Sequence, residues 1–142
     1  MAISSAIATS FKTQVLTGTH NFTASSGNTF KLALYTSSAT LGASTTVYVT
    51  TGQSSGTNYT AGGANLTNIT PVASSTTAVV DFSDLTFSTA TVTARGCLIY
   101  NSSQSNKAVC AIDFGSDKSS TAGDFTVVFP AATATGAIIR LA

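Results

Sequence analysis

Two apolar, β-prone runs, Cys97 to Tyr100 and Ala108 to Ile112, flank a polar tip from Asn101 to Lys107. That arrangement predicts a β-hairpin with a longer loop. A symmetric tip sets Cys97 opposite Cys110 and Leu98 opposite Val109. One side of the ribbon then carries Cys97, Ile99, Ala108, Cys110, Ile112 and Phe114, and the other Leu98, Tyr100, Val109 and Ala111. A hairpin with one face on the core and one in water alternates apolar with polar residues. This one is apolar on both faces, which predicts a central place in its sheet and a cover over its outer face.

Elsewhere the pattern is shorter in range. Ile3, Ile7, Phe11 and Val15 recur every four residues, predicting an amphipathic helix capped at Ser4 or Ser5 and ending near Gly18, within an N-terminal helical arm of residues 1–20. Phe30, Leu32 and Leu34 alternate with Lys31, Ala33 and Tyr35 in a strand. Residues 36–63 are rich in Ser, Thr and Gly around one apolar island, Val47-Tyr-Val49, and are either a functional loop or a segment holding one short element. Leu66 to Val72 reads as an edge strand because Pro71 interrupts it. Thr76 to Phe82 is a strand with Ala78, Val80 and Phe82 on one face, and a turn bracketed by Asp81 and Asp84 precedes Leu85-Thr-Phe87. Gly115 to Gly123 reads as a polar loop, Phe125 to Phe129 as a strand stopped by Pro130, and Ala137 to Leu141 as a last strand. Seven or eight short strands after one helix indicate an all-β, antiparallel β-sandwich or jelly-roll-like fold in a single domain, residues 1–142.

Composition adds a constraint on where such a domain lives. Charged residues are 8% of the chain, against about 25% in ordinary soluble domains. There is no glutamate and no tryptophan, and Ser and Thr supply about a third of the residues. An apolar content of 43% argues against disorder, so the balance suits a β-protein that lives in an assembly. The net charge is +1, with the six cations scattered; nucleic-acid binding needs a clustered basic face. No apolar run is long enough to span a membrane. The N-terminus lacks the basic region and apolar stretch of a secretory signal, so the expected site of synthesis is a reducing cytoplasm.

Candidate chemistry is sparse, and the expectation is a non-enzymatic chain with no catalytic, cofactor or metal residues. His20 is the only histidine, expected in a surface or capping role after the helix, because a hydrolytic triad needs an orienting acid and a nucleophile around it. Asp113, Asp117 and Asp124 could offer oxygens to calcium, but their spacing is not that of an EF-hand, and solvated turns are the expectation. Asp113-Phe-Gly115 spells a kinase motif without the accompanying kinase elements. Directly opposed antiparallel residues seldom offer relaxed disulfide geometry, and a reducing compartment disfavours the bond, so Cys97 and Cys110 are expected as buried free thiols. Arg95 and Asp113, at the hairpin base, are candidates to pair with each other or with a neighbour. Five Asn-x-Ser/Thr triplets, at Asn21, Asn58, Asn65, Asn68 and Asn101, match what chance gives in so hydroxyl-rich a chain.

Several runs carry a resemblance: His20-Asn-Phe22, Phe30-Lys-Leu-Ala-Leu-Tyr-Thr-Ser-Ser-Ala-Thr-Leu41, Asn58-Tyr-Thr-Ala-Gly-Gly63, Ala94-Arg-Gly-Cys-Leu-Ile-Tyr-Asn101, Ile112-Asp-Phe-Gly-Ser-Asp117 and Ile138-Ile-Arg140. Together, over nearly the whole chain, they resemble a family of small virion structural proteins of tailed bacteriophages. The resemblance implies a capsid decoration, or cement, protein on the outer surface of the head, partnered by the major capsid protein and by itself as a homotrimer or homodimer. A head–neck component, or a tail or fibre module gripping receptors through residues 36–63, is the alternative. No catalytic residue is carried across. On this reading the outer hairpin face, Leu98, Tyr100 and Val109, is the expected interface.

Overall fold

The computed structural model describes residues 2–142. Its strands are β1 (Ala6–Ile7), β2 (Phe30–Tyr35), β3 (Gly56–Thr57), β4 (Ala64–Asn65), β5 (Asn68–Ser74), β6 (Thr77–Phe82), β7 (Leu85–Asn101), β8 (Lys107–Val127) and β9 (Ile139–Leu141), with one helix, α1 (Thr9–Leu16), and a single 3-10 turn, Ser102–Gln104. The chain is an all-β, antiparallel, sandwich-like domain. A six-stranded sheet runs β1-β8-β7-β2-β4, with β3 also on β7, and a three-stranded sheet runs β5-β6-β9.

The hairpin is β7 and β8, and it is longer than its apolar part. Gly115 to Gly123 is not a loop: β8 continues through it to Val127 along β7. Cross-strand hydroxyl pairs, Thr93 with Ser119 and Thr86 with Thr126, both 2.8 Å, replace apolar contacts there, and Thr tolerates a pleated, half-exposed surface. Pairing along the hairpin shifts at several irregularities. Near the tip, Ser105 and Asn106 adopt left-handed backbone conformations, Asn101 caps the 3-10 turn through the Ser103 N–H, and Val109 is the extra residue of a bulge. The register is therefore not the symmetric one. Cys97 lies opposite Ile112, Leu98 opposite Ala111 and Ile99 opposite Cys110, while Tyr100 pairs with Ala108.

The hairpin is central and covered on both sides by its own chain. Phe30, Leu32 and Leu34 of β2 lie beside Cys97 and Ile99 on the inner face. There Phe30 stacks on Phe22 at 4.3 Å and meets Phe82 of the second sheet at 5.8 Å. On the outer face, residues 36–63 fold back as the cover. Tyr48 stacks on Tyr100 at 4.8 Å, Tyr35 donates its hydroxyl to the Val49 carbonyl, and Tyr100 donates to the Gly62 carbonyl at 2.7 Å. Gly63, at φ +77°, lies so close to the Leu32 carbonyl that any side chain would collide with it.

The N-terminus departs from the sequence reading. The helix starts at Thr9, not at Ser4 or Ser5, and Ala8 occupies its N-cap without a side-chain bond. Ile3 instead bridges Leu41 and Ala6–Ile7 pairs with Ala111 and Cys110, because an edge strand satisfies those backbone groups against the hairpin. Gly18, at φ +75°, follows the helix end as expected. In the second sheet β5 is an edge strand as expected, with a bulge between Ile69 and Val72 around Pro71. Ala78, Val80 and Phe82 share a face by alternation, but their burial falls along it: Phe82 is buried and Ala78 exposed. Val79, between Val72 and Arg140 on the other face, is buried, and Arg140 donates there to the Ala134 and Thr135 carbonyls.

Candidate functional site

The expected interface residues are core. Leu98, Tyr100 and Val109 are 0%, 3% and 0% exposed, because the 36–63 cover and the N-terminal bridge occupy that face. They offer nothing to a partner.

His20 is likewise not at the surface; it is 6% exposed. Its Nε2 lies 2.9 Å from Gln14 Oε1 on α1, and its Nδ1 lies 3.0 Å from Asn101 Nδ2 on β7. An amide nitrogen only donates, so Nδ1 accepts, Nε2–H donates, and the ring is neutral. Burial first, and the positive charge of Lys107 second, push its pKa from the usual 6.5 down to about 4. Phe11, Phe22 and Phe30 pack around it. Both ring nitrogens are committed to amides, so His20 pins α1 to the hairpin tip. The signal that could have placed it is the spacing Gln14–His20 on the helix and the turn after it.

Cys97 and Cys110 are free and buried. Desolvation raises the Cys97 thiol well above its ordinary pKa, with Cys110 adding to the effect, and pushes Cys110 up to about 12. Thiolate is the reactive form. We expect neither thiol to react with an aromatic disulfide reagent in the folded protein at pH 8 and both to react in denaturant; fast labelling without denaturant would contradict this burial. Arg95 Nε and Asp113 Oδ1 form an ion pair at 2.9 Å. Arg95 and the Gly115 N–H hold the Asp113 carboxyl below its ordinary range. Asp124 accepts from the Thr89 N–H, and among the described residues no three His, Cys or acidic side chains gather as metal ligands.

What is open is a groove of about 690 Å³ between the two layers. Phe11 and Val15 of α1 and Ile7 of β1 form one wall; Val80 of β6 and Ile139 and Leu141 of β9 form the other. The wall residues continue the core outward where the second sheet and the helix diverge. At its lip Leu16 is 79% and Leu141 60% exposed. Lys12 and Arg140 line it and no carboxylate does. A concave apolar site of this volume, with few polar groups, is the usual form of a binding site. The chain matches no family model, no curated protein and no solved structure.

Proposed function

We propose that this chain is a non-enzymatic structural protein of a phage particle, a capsid decoration protein. In this reading it is made in the bacterial cytoplasm and seats on the outer surface of the head. It binds the major capsid protein and further copies of itself as a homotrimer or homodimer. The observation that carries the reading is the apolar groove beside α1, with Leu16 and Leu141 exposed at its lip on a chain with 8% charge. Exposed apolar patches of this kind mark association surfaces. A protein that binds only the assembled lattice stabilises it by mass action. The resemblance to phage virion proteins supplies the identity of the lattice.

The test is location and copy number. Purified heads should carry the chain in fixed proportion to the major capsid protein, visible as repeated density on the outer surface. A few copies at the neck or tail would replace this reading with that of a head–neck or tail component. Leu16→Asp and Leu141→Asp should leave the melting temperature within a few degrees of the parent, since both side chains already contact water. Each should weaken attachment to heads by about tenfold or more, the scale of a central contact residue. Unchanged attachment by both variants would move the contact away from this groove.

A further inference from the structure

The two layers are unequal, and the shortfall lies beside β9. The six-stranded sheet stands over only three strands, and β9 is one edge of the smaller layer, opposite β5. Two grooves open here, one lined by Ile139, Arg140 and Leu141 of β9 and one reaching only Ile138 before it. The first is the α1 groove already described; the second, about 550 Å³, runs against Ile112, Phe114 and Phe125 of β8. Ile112 and Phe114, like Ile7 and Val15, are only partly buried. β9 pairs with β6 alone, so its outer backbone groups have no backbone partner among the described residues. An unpaired edge beside an apolar groove is a template for an added strand: main-chain bonds would give affinity, and the side chains on the groove side would drop into it.

Charge narrows the occupant. Lys12 in the first groove has no carboxylate partner, the one ion pair among the described residues being Arg95–Asp113; the Arg140 guanidinium lies on the opposite, Val79 face and donates to the Ala134 and Thr135 carbonyls. The second groove adds Lys118 against a single acid, Asp124. A second copy meeting this one edge to edge would bring together two Arg140 side chains, each at the middle of its β9, which like-charge repulsion opposes. A fatty acid could fill the grooves and meet the cations, but it would leave the β9 backbone edge unpaired. We propose that the β9 edge and the α1 groove beside it bind an extended, apolar segment of a partner polypeptide that carries a carboxylate, added as a fourth strand to the smaller sheet. The inference borrows the groove from the reading above but does not depend on a phage head, and peptide binding and head copy number are measured separately.

The probe is a fluorescent nine-residue peptide of alternating threonine and valine with a central aspartate, titrated against the full chain by anisotropy. Its control has lysine in place of aspartate. The aspartate peptide should bind saturably and at least about fivefold more tightly than the control, the effect of one favourable surface charge contact. Lys12→Glu should remove that preference while leaving the melting temperature unchanged. Amide hydrogen exchange at Ile139, Arg140 and Leu141 should slow on binding. Equal binding of the two peptides, or binding without protection of those amides, would overturn the proposal. So would saturable binding of decanoate with no peptide binding, or a concentration-dependent dimer that protects β9 with no peptide present.

Discussion

Leu98→Asp is expected to abolish folding, not to detach the chain from a partner. Leu98 is fully buried, beside Ala33 on one neighbouring strand and Ala111 on the other. Above it lie residues 36–63, held by the Tyr35–Val49 and Tyr100–Gly62 hydrogen bonds. An aspartate there has no cation or donor that the native contacts supply. Losing the leucine contacts costs about 3 kcal/mol. Burying an uncompensated carboxyl adds several more, whether it stays ionised or takes up a proton. The sum approaches the whole stability of a small domain, about 5–15 kcal/mol. The variant should be recovered unfolded or aggregated, with no cooperative urea transition. Leu98→Ala separates packing from association: it should fold, lose about 3 kcal/mol in urea unfolding, and retain the parent's oligomeric state and binding. A folded Leu98→Asp chain whose only defect is assembly would restore the outer hairpin face as an interface.

That prediction reverses the expectation from sequence, for a physical reason. The sequence pattern correctly marks a hairpin apolar on both sides, but periodicity cannot distinguish a face covered by a partner from one covered by the same chain. The cover comes from residues 36–63, whose grip rests on single tyrosine hydroxyls and backbone turns, not on any repeating pattern. The register is hidden for a similar reason. Tip geometry set by left-handed Ser105 and Asn106, with a bulge at Val109, moves Cys97 from Cys110 to Ile112. Because the shift is two residues, the faces survive; only Ala108 changes side, to lie with Tyr100. A shift of one would have inverted the whole ribbon.

The polar stretches mislead in both directions. Ser and Thr between Gly115 and Gly123 resemble a loop by composition, yet pair with β7 because hydroxyls can bond across strands while facing water. Ile3 and Ile7 fit a helical repeat, yet Ile3 bridges Leu41 and the hairpin edge recruits Ala6–Ile7 as a strand. The groove was the least legible feature. Leu16 and Leu141 are 125 positions apart in sequence, and nothing local distinguishes them from core leucines. Arg95 and Asp113 are the opposite case: hairpin logic put both at the base, and they pair there.

His20 should make the fold sensitive to mild acid. In the unfolded chain its pKa is about 6.5; in the fold it is about 4. Above pH 6.5 the ring is neutral in both states, and below about 4 both states carry the proton. Between those limits the unfolded chain binds a proton that the fold excludes, so stability falls as pH drops from about 6.5 to about 4. The full loss is of order 3 kcal/mol for a shift of this size. The geometry gives the cause: a proton on Nδ1 would face the Asn101 amide, itself a donor, with Phe11, Phe22 and Phe30 in place of water. Asp113, whose pKa is lowered by Arg95, acts in a separate range. Its contribution is present above the ordinary carboxylate pKa and is lost only as pH falls through its lower folded value. Urea midpoints between pH 4 and 7 should therefore decline in the parent, while His20→Gln, whatever its overall stability, should give a nearly flat profile over that range. If the two profiles run parallel, the acid sensitivity belongs to another group, and the Gln14–His20–Asn101 link is not what senses it.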